Sequence, residues 1–360
     1  MLGNGLIAPF NRPDFFPLAV WLQSPANAAR YRAAGVNLYV GLWEGPTENQ
    51  LAALKAARMP VICHRNAVGI AHAKDPMIAG WLQDDEPDNA QPVTDPKTGR
   101  KGYGPCVPPS EVVSRYRRLK EADTTRPVLL NLGQGVANDR WIGRGPGAKL
   151  DDYRTYVQGG DIVSFDVYPI ATGLPLRTLT TGIDRLVAWT DGKKPIWNCV
   201  ECSAIQGTGK VTPRQLRAEI WLSITHGSRG LIYFTHQFAP KFNEHAILDD
   251  PPLLAEWTAT NRRIAELAPV LNRPTIAGVA TAVPDPPDTP IDFMVKQHDG
   301  WTYLFAVGMP ERTARVRWTI RGLPQRAVAD VIGESRSIPV QAGTFTDDFQ
   351  TEDVHLYRLR

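Results

Sequence analysis

Short apolar runs alternate with amphipathic stretches along the first 270 residues. The candidate strands are Phe16–Leu22, Val36–Trp43, Pro60–Arg65, Ile78–Glu86, Pro127–Gly133, Asp161–Pro169, Pro195–Cys202 and Gly230–Gln237. Each is short and almost wholly apolar, as parallel strands covered on both faces must be. Helix starts are readable between them. Ser24 before Pro25 and Thr212 before Pro213 place a capping side chain ahead of a first-turn proline. Thr47 followed by Gln50 has the form of a capping box, and Ser110 is a candidate cap for a helix opening at Glu111. Eight strand–helix units predict an α/β chain closed into a (β/α)8 TIM barrel, because each parallel return needs a crossover helix. An open doubly wound sheet alternates in the same way, but no G-x-G-x-x-G follows the first strand.

Beyond a last helix at about Pro251–Asn272 the pattern changes. A Pro/Asp-rich segment, Val283–Pro290, interrupts the short runs Ile291–His298, Trp301–Val307, Thr313–Ile320 and Val354–Leu359, with Thr275–Ala282 as the first strand of the group. Asp299-Gly300 between two of them is a tight-hairpin signal. The expected organisation is therefore a catalytic barrel over 1–272 and a C-terminal antiparallel β-sandwich over 273–360. One long loop stands out in the barrel half: Asp88–Pro109 is rich in Pro, Gly and charge and follows the fourth strand directly, the place of a lid.

Composition narrows the function by exclusion. The 360 residues are 43% hydrophobic and 21% charged with a net charge of +3, and no basic stripe interleaved with aromatics marks a nucleic-acid binder. No run approaches the ~20 apolar residues of a membrane span. Residues 1–16 show no basic n-region or long apolar run, so no export signal is visible, although a polysaccharide substrate favours a secreted or periplasmic location. Four cysteines are too few for a disulfide scaffold, and Cys199-x-x-Cys202 lacks the second pair of a zinc site. No cofactor or metal is expected. Ten Trp and ten Tyr supply flat rings of the kind that stack on sugar faces.

The chemistry gathers at strand ends, where a barrel of this kind carries its active site. The fourth strand runs out through Asp84-Asp85-Glu86-Pro87 and the seventh through Val200-Glu201-Cys202. A carboxylate at the mouth of an apolar strand is costly unless it has a task. A helix cap or a salt bridge is one such task. The other is hydrolysis of a glycosidic bond, in which one carboxyl is protonated to donate to the leaving oxygen and another is ionised to attack the anomeric carbon. Two neighbouring carboxyls separate their pKa values unaided, since the second ionises against the charge of the first.

The placement resembles clan A of the glycoside hydrolases over about residues 15–270. The resemblance implies a retaining mechanism, with Glu86 after strand four as acid/base and Glu201 after strand seven as nucleophile. Clan members usually carry Asn before the acid/base; here that position is Asp85, inside Asp85-Glu86-Pro87-Asp88. The stretch Gly227-Ser228-Arg229-Gly230 leading into Ile232-Tyr233-Phe234 is similar to the start of the eighth strand in such enzymes. The resemblance also implies that Tyr168, at the end of strand six, hydrogen-bonds the nucleophile. Asp166 shares its face by period-two alternation.

Further candidates for holding sugar hydroxyls are His64 and Arg65 on strand three, His236 and Gln237 on strand eight, and Asn131 and Asn198. Trp43, Trp81 and Trp197 are candidates for stacking, Trp43 first because it ends strand two. The expected partner is an oligo- or polysaccharide, bound without nucleic acid or a membrane span. Two other readings stay open. His64, Asp84, Asp85, Asp166, Glu201 and His236 form a donor pool for a metal-dependent hydrolase or isomerase, though no H-E-x-x-H occurs and strand one offers no H-x-H. A non-catalytic carbohydrate-binding barrel is the other.

Overall fold

The computed structural model describes residues 9–140, 145, 147–207, 209–309 and 312–360. Half of the stretch read for an export signal, residues 1–8, lies outside the described residues. Eight parallel strands close a barrel: β1 (Leu18–Trp21), β2 (Leu38–Val40), β3 (Val61–Cys63), β4 (Ile78–Asp85), β5 (Val128–Leu132), β6 (Ile162–Phe165), β7 (Ile196–Glu201) and β8 (Ser228–Phe234). Closure comes from pairing of β1 with β8 at Leu18↔Leu231, Ala19↔Ile232 and Val20↔Tyr233. Every expected barrel strand is present; all end earlier than expected, and the eighth starts two residues sooner, at Ser228.

The barrel interior is filled by Ala19, Trp21, Leu38, Val40, Ile62, Ala79, Leu82, Leu129, Ile162, Trp197, Cys199 and Ile232. Phe10 closes the amino end, its ring 6.0 Å from that of Trp197. Gly230 is required there: a Cβ at that position would stand 2.6 Å from the Trp197 indole. Helix starts follow the local chemistry. Thr47 and Thr212 each accept from the backbone three residues on while Gln50 and Gln215 return the bond, two complete capping boxes. Ser24 caps the turn at Pro25. Ser110 does not cap; the helix begins one residue earlier, at Pro109, because a proline there already supplies the helical φ and lacks the orphan N–H.

The segment after β4 has more structure than a bare lid. Pro92–Thr94 pairs with Lys101–Tyr103 in an exposed hairpin. Its base is tied down by Asp88, which accepts from Gly133 N at 2.8 Å and from the Tyr153 hydroxyl at 2.7 Å.

The last barrel helix ends at Leu271. Eight antiparallel strands follow: β9 (Ala280–Asp285), β10 (Ile291–His298), β11 (Trp301–Gly308), β12 (Ala314–Ile320), β13 (Arg326–Val331), β14 (Arg336–Gln341), β15 (Thr344–Phe349) and β16 (Val354–Leu359). They form one sheet in the order β9-β12-β15-β14-β13-β16-β11-β10, which curls around a core of Val316, Trp318, Leu304, Phe345 and Tyr357. The sandwich is thus a single, nearly closed sheet. Its first strand starts later than expected and takes in Val283–Asp285 from the Pro/Asp-rich segment. Asp299 and Gly300 both have positive φ (47° and 77°), the two-residue hairpin that Asp-Gly favours. The sheet lies against the helices after β7 and β8, with Trp221 and Phe305 stacked at 5.6 Å. It lies along the barrel's flank.

Candidate active site

The carboxyl ends of the strands carry a cluster of acids. Between Leu82 and Asp85, β4 has one residue more than β5 opposite it, a bulge that re-aims the residues after it. Glu86 then takes a left-handed conformation, φ 42°, unusual for a non-glycine and of the kind stored at functional sites. Its N–H donates to Asn131 O at 3.1 Å, and its Oε2 accepts from Asn89 Nδ2 at 2.7 Å. Asp85 Oδ1 accepts from Asn131 Nδ2 at 2.9 Å, and Asn131 Oδ1 in turn accepts from Ser164 Oγ at 2.7 Å. Asn131, one of the hydroxyl-binding candidates, is spent on orienting Asp85.

Asp166, one residue past β6, brings its carboxyl within hydrogen-bonding reach of Glu86, while its Oδ1 is buried with no donor. Burial, the charge of Glu86 and the contact with it raise the Asp166 carboxyl well above the ordinary range. Two carboxyls in contact cannot both ionise cheaply, so the pair holds a proton near neutrality. Asp85 is pushed up to about 7 by the surrounding protein, with Glu86 and Asp88 adding to the effect and Asn131 opposing it. Asp88 is raised to about 6, chiefly by burial. Among the described residues none of these acids makes an ion pair with Lys, Arg or His; the nearest such pair joins Asp84, outside the cluster, to Arg115.

Glu201 stands apart from this cluster. It ends β7, is wholly shielded from solvent, and its two oxygens accept from Ile170 N at 2.7 Å and Ala171 N at 2.8 Å. Burial raises it to about 7 against the pull of those amides and of Glu219, a buried residue on the helix Pro213–Thr225. Glu86 is not among the groups acting on it. The structure therefore joins Glu86 to Asp166 and joins Glu201 to Glu219.

The Tyr168 hydroxyl makes no hydrogen bond with Glu201. Its own surroundings are Asp166, Cys199, Glu86 and Asp85, and burial first, then those charges, keep it a protonated phenol. The hold on Glu201 comes instead from the two backbone amides that follow Pro169. The Tyr168 ring lies 5.0 Å from Phe234 and begins an aromatic wall. Phe234, His236, Phe238 and Phe242 continue it at 5.0 to 6.3 Å centroid spacing, with His236 and Phe238 nearly coplanar at 10°. Phe238 is 47% and Phe242 57% exposed. His236 is held neutral by burial, pushed down to about 4; its Nε2 is 3.3 Å from Gln23 and its Nδ1 is buried without a partner.

Other expected residues divide by which face of the strand they occupy. Trp43, just past β2, is 70% exposed. His64 is half-buried past β3, and burial lowers its pKa. Arg65 lies on the outer face, 5.9 Å from the Trp81 ring. Gln237 pairs through its backbone with Asn243 at 2.9 and 2.8 Å.

Three expectations give way to structural roles. Trp197 fills the barrel's amino end against Phe10, 1% exposed, and cannot meet a sugar. Trp81 lies fully buried under the helix Pro109–Ala122, its Nε1 donating to Asp123 at 2.9 Å. Asn198 faces outward to Ser223 at 2.9 Å and Ser228 at 2.6 Å. The alternation Phe234-x-His236-x-Phe238 was the available sign of the aromatic wall, because period-two spacing at a strand end puts all three on one side. Among the described residues no three His, Cys, Asp or Glu side chains are grouped to hold a metal ion.

No protein-family profile matches the chain, and no curated protein matches it in sequence. Its fold is similar to that of an α-amylase from Geobacillus thermoleovorans solved with acarbose, at 12% identity and a TM-score of 0.58 over 97% of this chain and 98% of the other. It is similar also to a noncanonic maltogenic α-amylase from Thermotoga neapolitana (10%, 0.53, 97% and 99%). A GH30 endoxylanase from Clostridium papyrosolvens shares the fold as well (13%, 0.52, 95% of each chain). At such identities the likeness establishes the architecture, a TIM barrel followed by an antiparallel β domain.

Proposed function

We propose that this protein is a glycoside hydrolase that cleaves an oligo- or polysaccharide at the carboxyl-end mouth of its barrel. The observation that carries the proposal is the contact between Glu86 and Asp166: two partly buried carboxyls, without an ion pair among the described residues, beside an aromatic wall whose Phe238 and Phe242 are exposed. The arrangement keeps a proton available near neutral pH at the place where a leaving oxygen would need it. The amylases and the xylanase that share the fold act on glycosidic bonds, which agrees with this chemistry. Fold alone would not carry the assignment.

In the finer form of the proposal the mechanism is retaining. Glu86 is the acid/base, Asp166 governs its proton, and Glu201 attacks the anomeric carbon to give a covalent glycosyl-enzyme. Glu201 is covered by the Pro169–Thr172 segment, so that segment has to open for attack. A second reading is favoured by the same contact: Asp166, already facing Glu86, is the nucleophile. It requires the two carboxyls to part to the ~5–5.5 Å of a retaining pair when a sugar enters between them.

A panel of 4-nitrophenyl glycosides tests the function, and a 2-deoxy-2-fluoro glycoside of the active sugar tests the nucleophile. Peptide mass analysis of the trapped enzyme should place the sugar on Glu201; a label on Asp166 selects the second reading. An unlabelled enzyme that inverts anomeric configuration would overturn the retaining mechanism. Absence of hydrolysis across the panel and across common polysaccharides would overturn the function.

A further inference from the structure

The helix Pro213–Thr225 packs on the outside of β7, and most of its buried positions are apolar. Two are polar, and Glu219 is the ionisable one: a carboxyl 1% exposed, in the middle of that helix, with its Oε1 lacking any donor. The helix is pinned at this level by Ser223, whose hydroxyl donates to Glu219 O at 2.7 Å and receives Asn198 Nδ2 at 2.9 Å. Its carboxyl lies within hydrogen-bonding reach of Glu201, and the groups that act on it are Glu201 itself and, from the turn before β16, Glu352. Cys202, next along the chain, is a neutral thiol held so by its burial and by the same two glutamates. Among the described residues no Lys, Arg or His forms an ion pair with Glu201 or Glu219.

A buried carboxyl with no cation, packed against a second buried carboxyl, is stable only when one of the two keeps a proton. The two oxygens of Glu201 already accept two amide hydrogens, which favours placing the negative charge there and the proton on Glu219. We propose that Glu219 is the positioning residue of Glu201: as a neutral acid it donates its proton to that carboxylate from behind, and it remains the partner that orients Glu201 when the amides of Ile170 and Ala171 move aside. Loss of the proton would set two charges against each other in a closed space and dislodge Glu201. The inference rests on the reading of Glu201 as the nucleophile. Burial first, then the charge of Glu201, raises Glu219 well above the ordinary range, in keeping with a neutral donor.

Glu219→Gln separates this role from mere packing, since an amide of the same shape still donates to Glu201 but cannot lose its proton. Infrared difference spectra of the wild type and Glu219→Gln at neutral pH should show the loss of one protonated-carboxyl band in the variant. With the 4-nitrophenyl glycoside that turns over in the panel, the acid limb of kcat/KM, set by ionisation of Glu201, should move up by about half a pH unit or more in Glu219→Gln, whose amide is a weaker donor than a carboxylic acid, while the alkaline limb stays with the Glu86–Asp166 proton. Glu219→Ala should lose about tenfold or more across the range, with Glu219→Gln as the rescue. An unchanged infrared band overturns the proton assignment. A lost band with an unmoved acid limb overturns the positioning role of Glu219. Should Glu219→Ala fail to fold, the glutamine variant alone decides.

Discussion

The barrel mouth and the C-terminal sheet both enclose acids, and they treat them in opposite ways. In the sheet, Arg336 reaches Asp347 with two nitrogens at 2.9 and 2.8 Å and Glu334 with its Nε at 2.8 Å. His355 meets the other Glu334 oxygen at 2.6 Å, and the Tyr357 hydroxyl donates to Asp347 at 2.8 Å. Glu334 and Asp347 each have a charged donor. At the mouth Asp85, Glu86 and Asp166 have amides for neighbours, or one another, and among the described residues none of them has an ion-pair partner. Burial without compensation is destabilising, and the same chain pairs acids with cations in its C-terminal sheet. The contrast teaches where this protein gives up stability for protonation chemistry.

Removal of the central acid at each place should have opposite consequences. Glu86→Gln is expected to lower kcat on activated glycosides by about 10²–10⁴-fold, the usual share of general acid–base catalysis, while the thermal midpoint holds or rises. A stability loss with activity retained would make the mouth cluster structural. Arg336→Met should do the reverse. It strands Glu334 and Asp347 at the cost of about 2–3 kcal/mol, within the range for charge-assisted bonds at a partly exposed site, and leaves kcat below the melting range near wild type. Denaturant unfolding and turnover measured on the same two samples check both.

The two regions should also respond to pH with opposite sign. Asp85 and Asp88, raised to about 7 and about 6, hold protons that the unfolded chain releases near ~4. Their stabilisation is complete in acid and is lost as the pH rises from about 4 to 7. For Glu334 burial works upward, but His355 and Arg336 hold it below the usual range, so its contribution is present above about pH 4.3 and is lost on acidification. Thermal scans between pH 3 and 8 should therefore show Asp85→Asn flattening the neutral side of the curve and Glu334→Gln flattening the acid side. Identical curves for the two variants would refute the contrast.

The same division explains what could be read without coordinates. All eight barrel strands were legible because a parallel strand buried on both faces is a short apolar run and little else. Of the C-terminal strands, β13 to β15 were not. Arg326–Val331 and Thr344–Phe349 expose alternate positions, and Arg336–Gln341 carries Pro339, so neither an apolar run nor a clean alternation marks them. At the site, Glu86 and Asp166 were found from their place at strand ends. Their contact was not, because it depends on the extra residue in β4 and on the left-handed turn at Glu86, and neither is encoded by period-two patterning. Trp43 and Trp197 look alike as letters near a strand. Which end of the strand each occupies decides that one reaches solvent and the other plugs the floor. Glu219 reads as an ordinary solvated helix position until the fold seats it against Glu201 on β7.

The smallest expected effect lies on the aromatic wall, and it sharpens the contrast from the substrate's side. Phe238 is half exposed and packs loosely, 5.9 Å from Phe242 and 6.1 Å from His236, so its ring does little for the fold. An exposed ring at the rim of an acid cluster is well placed to cover the apolar face of a sugar while leaving the acids free for its hydroxyls. Stacking of this kind contributes about 0.5–1.5 kcal/mol, which corresponds to a two- to twelve-fold change in affinity. Phe238→Ala should therefore raise KM by that factor on an oligosaccharide, leave kcat near wild type, and shift stability by no more than ~0.5 kcal/mol. The effect should shrink on a short aryl glycoside, which has no second sugar to reach the wall. An equal loss on long and short substrates would mean that Phe238 holds the mouth's shape instead of a sugar, and the wall would then belong with the paired acids of the sheet as structure.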